Sequence, residues 1–197
     1  MATVTLVLSV LVVALVPALQ RWLVLDRAAV GAGQLWRVAT GSLVHFSTSH
    51  LLLDLVAVGV PGAMLELSGR RIGATIALAS VAVGIAVLAL DPTLELYGGL
   101  SGVAYALVVL AALEKTRSKR TERAVALAVL ALTIVKLWWD MRSGSFLLVE
   151  AGHGEFVPAP VSHLAGSIAG VVTALVWHRP PAPTARRAIL SRTASTG

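Results

Sequence analysis

Apolar residues along this chain come in long, nearly uninterrupted runs instead of alternating patterns. Six runs, roughly residues 3–25, 50–68, 72–90, 99–114, 124–140 and 161–177, reach or approach the length a helix needs to cross the hydrocarbon, which is about 20 residues. In lipid every backbone polar group must be satisfied within its own segment, so such runs predict helices. The expected fold is an all-α membrane protein with six transmembrane helices. The first run is not followed by a small-residue cleavage pattern with a polar mature start, so it is expected to be a retained helix and not a removed signal peptide. No internal repeat is evident, which leaves an inverted-repeat transporter without support.

Composition agrees with the pattern and narrows it. Hydrophobic residues make up 57% of the 197 and charged residues only 13%, against roughly 25% charged in soluble domains. A water-facing surface could not be covered with so few polar groups, which excludes a soluble globular domain. The absence of cysteine excludes a disulfide framework, a thiolate metal site and a cysteine nucleophile. Lys and Arg outnumber Asp and Glu by 16 to 10. No basic stripe is interleaved with aromatics, so no nucleic-acid partner is expected and the excess is assigned to topology. With the amino terminus in the cytoplasm, the inner segments hold Arg70, Arg71, Lys115, Arg117, Lys119, Arg120, Arg123, Arg179, Arg186, Arg187 and Arg192. The outer side receives Arg21, Arg27, Arg37 and Arg142, so both termini are expected inside. Residues 1–178 form the membrane domain. Residues 179–197, with Pro180, Pro181 and Pro183, are expected as a flexible basic tail near anionic lipid. The Gly-rich connection from Met141 to Pro160 is expected outside as a mobile cap. Lys136 and Asp140 are expected as a snorkelling pair at the interface.

Polar side chains inside apolar runs mark function or a buried partner. Three groups stand out. In Gly98-Gly99-Leu100-Ser101-Gly102 with Tyr105, glycines permit close approach, and Ser101 falls in a first helical turn where unpaired N–H groups can stabilise an oxyanion. Packing of small residues between membrane helices accounts for the same cluster, and the strand-borne G-x-S-x-G elbow of soluble hydrolases does not fit it. Gly166 and Gly170 share a helical stripe with His163, a face able to approach the Ser101 and Tyr105 face of another helix. His50 and Asp54 lie at i and i+4 within His45 to Asp54, with His45 off that face. No His-Glu-x-x-His pattern exists, so neither a metal nor another cofactor is expected. With a single Asp well inside a predicted span, an aspartyl protease is disfavoured.

Together these segments resemble the rhomboid intramembrane serine proteases. The resemblance rests on Trp36-Arg37, on His45, His50 and position 54 in the family's H-x-x-x-x-H-x-x-x-N spacing, on Gly62 to Glu66, on Gly99-Leu100-Ser101-Gly102 with Tyr105, and on His163 with Gly166 and Gly170. It implies that Ser101 is the nucleophile and His163 the general base, a dyad without an orienting carboxylate. It further implies that Tyr105 packs on His163, that His50 and the Ser101 N–H bind the oxyanion, and that Gly99 and Leu100 shape the adjoining loop. Trp36-Arg37 and Glu66 are implied to be structural anchors.

The chain departs from the family at Asp54, where Asn usually supplies an oxyanion donor and an ionised carboxylate can only accept. Asp54 as a protonated donor, Asp54 holding a charged His50, and a Ser101, His50, Asp54 triad all remain open. The short Arg27 to Trp36 connection, the absence of an extramembrane domain and this Asp make the chain similar to the rhombosortases, a rhomboid subgroup linked to proteins with a Gly-Gly carboxy-terminal sorting helix. The implied function is hydrolysis of a peptide bond in or beside a transmembrane segment of a membrane protein substrate, in a bacterial inner membrane. The rival expectations are an inactive rhomboid-like protein that binds transmembrane helices, and a small transporter with Asp54, His50 and His163 along a polar path.

Overall fold

The computed structural model describes residues 1–143 and 159–176. The connection 144–158, expected as the body of a cap, and the basic tail 179–197 lie outside the described residues. Among those described, the chain is helical apart from two short strands: α1 (Ala2–Leu15), α2 (Pro17–Leu23), β1 (Leu25–Asp26), α3 (Arg27–Gly31), α4 (Arg37–Thr40), α5 (Thr48–Leu67), α6 (Gly73–Leu90), β2 (Leu96–Tyr97), α7 (Ser101–Lys115), α8 (Arg120–Ser143) and α9 (Pro160–Val176).

Each apolar run coincides with helix, but not every run is a full span. Among the described residues α5, α6 and α8 are long and apolar enough to cross a membrane. The first run departs from the single straight helix expected of it. It breaks into α1 and α2 with a bend of 111°, because Pro17 lacks an N–H and its ring drives Val16 into extended backbone at φ −119°, ψ 95°. Counted as one, this pair is a fourth candidate span. At 15 residues α7 is shorter than the usual span of about 20, and α9 is described over 17 residues.

The short α7 is the centre of the bundle, packing on α5, α6, α8 and α9. Its Val103, Ala106 and Leu107 are fully buried. Against α9 the approach is backbone to backbone. A Cβ on Gly166 would overlap the Gly102 carbonyl, and one on Gly170 would sit 2.5 Å from the Ala106 oxygen. Lipid tails give no hydrophobic drive between helices, so small residues that admit dense van der Waals contact hold this pair together. α8 is the opposite case. Only Ala126 and Asp140 are buried along it, while Leu132, Ile134, Val135 and Trp138 face outward.

The segment before α5 fastens the end of the bundle at which α5, α7 and α9 begin. β1 pairs antiparallel with β2, Leu25 opposite Tyr97. The Arg27 guanidinium donates to the carbonyls of Val87, Leu88, Asp91 and Leu94, closing the C-terminal end of α6. Buried Arg37 donates to the Arg21 and Val24 carbonyls at 2.9 and 2.7 Å, and Trp36 stacks on Trp22. At the other end, Glu66 accepts from the Ala2 N–H and Arg70 pairs with Glu114 at 2.7 Å.

Candidate active site

Ser101 is the first residue of α7 and His163 lies in the first turn of α9. The glycine contact between these helices brings the Ser101 Oγ to 3.0 Å from His163 Nε2. Tyr105, one turn below Ser101, stacks on the imidazole with centroids 4.4 Å apart and planes 15° apart. The other ring nitrogen is also engaged: His163 Nδ1 lies 3.0 Å from Asp140 Oδ2. Lys136 Nζ donates to both Asp140 oxygens at 2.9 and 2.8 Å.

This arrangement corrects the expectation that Lys136 and Asp140 are a snorkelling pair at the interface. Asp140 has 0% exposure, because it occupies the side of α8 that turns toward α9. The imidazole of His163 therefore has a carboxylate partner, which the two-residue pattern of nucleophile and base does not contain.

A second cluster forms around Asp54. Its Oδ2 accepts from the Leu100 N–H at 2.8 Å and faces His45 Nε2 at 3.0 Å and His50 Nε2 at 3.2 Å. The i,i+4 spacing of His50 and Asp54 anticipated one of these contacts. His45 joins because it precedes the helix, where helical periodicity does not apply. The chain turns at Ser47, whose Oγ accepts from the His50 N–H and starts α5, and this turn folds His45 over the first turns of that helix.

Between β2 and α7 the loop is held from several sides. The buried Tyr97 hydroxyl donates to the Gly99 carbonyl at 3.1 Å, and burial pushes its pKa above the ordinary phenol value. The Gly99 N–H reaches the Gly41 carbonyl. Gly99 has φ +148°, and a Cβ there would lie 2.8 Å from His50 Cε1, so both conformation and space require glycine. With Leu100 N–H committed to Asp54, the Ser101 N–H follows at the first helical position, where no intrahelical acceptor exists. Gly102 admits α9, since a Cβ there would stand 2.8 Å from the Ser162 carbonyl.

Ser101, His163, His50, Asp54, Tyr105 and Lys136 border one cavity of about 380 Å³ between α5, α7 and α8. Apart from Thr133 its remaining wall is apolar, including Leu53, Ala57, Val108, Val129 and Leu132. A second cavity of about 510 Å³ shares Val108 and Val129 and extends past Val60, Pro61 and Met64. The two adjoin at Val108 and Val129, giving a groove that is largely apolar beside Ser101 and polar at Lys115, Thr121 and Glu122 near the start of α8. Among the described residues no group of three or more His, Asp or Glu side chains is arranged to hold a metal ion.

The model of the Rhomboid domain family matches residues 32–180. The chain belongs to the rhomboid family. A comparison with curated proteins finds none that matches. The rhomboid match takes in α4 through α9, so both carboxylate clusters and the whole groove fall within it. The site residues singled out by motif, namely Ser101, His163, His50, Asp54, Tyr105, Gly99, Leu100 and Gly102, lie at this one end of the bundle. The contact of Asp140 with His163 and those of His45 and the Leu100 N–H with Asp54 were not anticipated. The available signal for Asp140 was a carboxylate at the end of an apolar run, one helical turn after Lys136, a placement that asks for a partner.

Proposed function

We propose that this rhomboid-family membrane protein is a serine endopeptidase that cleaves a peptide bond in or beside a transmembrane segment of a membrane protein. The observation that carries this reading is the 3.0 Å contact between Ser101 Oγ and His163 Nε2 at the head of a largely apolar groove. Ser101 Oγ attacks the scissile carbonyl carbon while its proton passes to His163 Nε2. The C–N bond then breaks and the amine leaves with that proton. Water repeats the sequence on the acyl-enzyme. The Ser101 N–H and His50 face the developing oxyanion.

For Asp54 the contacts favour a carboxylate that holds its neighbours over a protonated donor. One oxygen meets three nitrogens, of which the Leu100 N–H can only donate. The triad of Ser101, His50 and Asp54 has less support, since Ser101 bonds to His163. An inactive binding protein is disfavoured because the nucleophile and base are both retained and in contact. The largely apolar lining of the cavity beside Ser101 supports a transmembrane substrate, and on that reading the reaction is rhombosortase-type processing of a carboxy-terminal sorting helix.

The test is reconstitution in liposomes with a tagged single-span reporter carrying small residues near one membrane boundary. Two fragments are expected from the parent chain and none from Ser101→Ala; equal cleavage by both ends the proposal. We place α1 with α2, and α5 to α9, as six spans with both termini in the cytoplasm of a bacterial inner membrane. Reporter fusions at Gly152 and Gly197 should then report opposite sides, and the same side for both would invert or abolish this topology.

A further inference from the structure

We propose that Asp140 is the positioning residue for His163, with Lys136 holding that carboxylate in its ionised form, so that the site works as a triad. This inference rests on the serine-protease reading. It begins from the two nitrogens of one ring. His163 presents Nε2 to the Ser101 hydroxyl and Nδ1 to Asp140 Oδ2, each at 3.0 Å. An ionised carboxylate only accepts, so Nδ1 carries the hydrogen and Nε2 is left with a lone pair directed at the Ser101 O–H. That is the tautomer a general base requires. Tyr105 stacks on the ring face and sets its tilt, but a stacked ring cannot choose which nitrogen bears the proton. Asp140 can.

Burial raises the question of how a carboxylate stays ionised at this position. Asp140 is wholly enclosed, and an isolated charge in such surroundings would give way to the neutral acid. Lys136, one turn earlier on α8, reaches both oxygens and is 29% exposed at its side chain, at the edge of the groove. The pair is neutral as a unit, which removes most of the penalty while leaving Oδ2 able to accept from His163. A merely helix-stabilising i,i+4 ion pair needs neither a fully buried carboxylate nor a third partner on another helix. This one has both, on a helix with only two buried residues.

A fluorophosphonate that labels serine hydrolases supplies a test free of any unknown substrate. Ser101 Oγ attacks phosphorus, the P–F bond breaks, fluoride leaves, and the hydroxyl proton goes to His163 Nε2, the same transfer as in hydrolysis. The inactivation rate constant and the probe's half-saturation concentration are measured for the parent, Ser101→Ala, Asp140→Asn, Asp140→Glu and Lys136→Met/Asp140→Asn, with thermal unfolding of each. Asn at 140 can turn its amide to donate to Nδ1 and so select the wrong tautomer. The rate constant is therefore expected to fall by about 100-fold or more with half-saturation within about threefold. Asp140→Glu should recover at least about tenfold over Asn. The double variant, which removes both charges and leaves no unpaired ion, should unfold at the parent's temperature and remain slow.

Asp140→Asn labelling within about threefold of the parent overturns the proposal, and so does parent-like labelling of the double variant. An unlabelled parent, or labelling that survives Ser101→Ala, overturns the serine-hydrolase reading and this inference together. Ser101-dependent labelling that ignores Asp140→Asn overturns this inference alone.

Discussion

Two carboxylates sit among imidazoles at the same end of the bundle, and they are used in opposite ways. Asp54 draws together groups from three places: the Leu100 N–H from the loop before α7, His50 from its own helix and His45 from the segment ahead of it. Asp140 meets one imidazole and one ammonium, and its imidazole bonds to the candidate nucleophile. The first cluster ties a loop in place beside the site, whereas the second acts on the ring that would move the proton. The i,i+4 pair that looked like chemistry, His50 with Asp54, closes on the loop before α7, and the pair that looked like surface dressing, Lys136 with Asp140, connects to Ser101 through His163. Spacing along one helix identifies neighbours on that helix and is silent about what another helix brings to them.

The largest effect should come from the contact on which the comparison turns. Ser101→Ala, His163→Ala and the double variant should each lower reporter cleavage by about a thousandfold or more, with the double no worse than the singles, because nucleophile and base act as one unit. Turnover surviving in His163→Ala but lost in His50→Ala would exchange the roles of the two clusters. Next is Gly166→Ala, which leaves every polar group in place. Its Cβ would collide with the Gly102 backbone, forcing α7 and α9 apart at a cost of about 1–3 kcal/mol. Cleavage should drop more than tenfold as Ser101 and His163 separate, read by thermal unfolding and reporter cleavage in parallel; unchanged values for both would mean that the helices do not meet at Gly102.

The smallest effect sharpens the contrast between the carboxylates. Asp54→Asn should keep most of the cleavage and stability, since the amide oxygen still accepts from Leu100 N–H and the amide nitrogen can serve an imidazole. Asp54→Ala strands those buried partners, at about 1–3 kcal/mol in unfolding measurements. Asn should thus be tolerated at position 54 and harmful at position 140. Equal tolerance at both would erase the distinction drawn between a loop anchor and a tautomer anchor.

Runs of apolar residues determined, without any coordinates, that the chain is helical and belongs in a bilayer, because in lipid each backbone must satisfy itself within the segment. The bend at Pro17 was not anticipated, although it follows from the same local physics, since a proline and the residue before it act on their own turn. Motif spacing also singled out Ser101, His163, Tyr105, His50 and Asp54, which share one cavity wall. Tertiary structure alone decided that Asp140 partners His163 and that the Leu100 N–H partners Asp54. Asp140 reaches His163 across 23 residues of chain, and Leu100 reaches Asp54 across 46. Neither approach follows from periodicity. Each depends on how closely α9 can lie against α7, and on where the strand pair of Leu25 and Tyr97 fixes the loop ahead of Ser101. A residue's helix settles the direction of its side chain, but the distance to a group on another helix is set by the packing of everything between them.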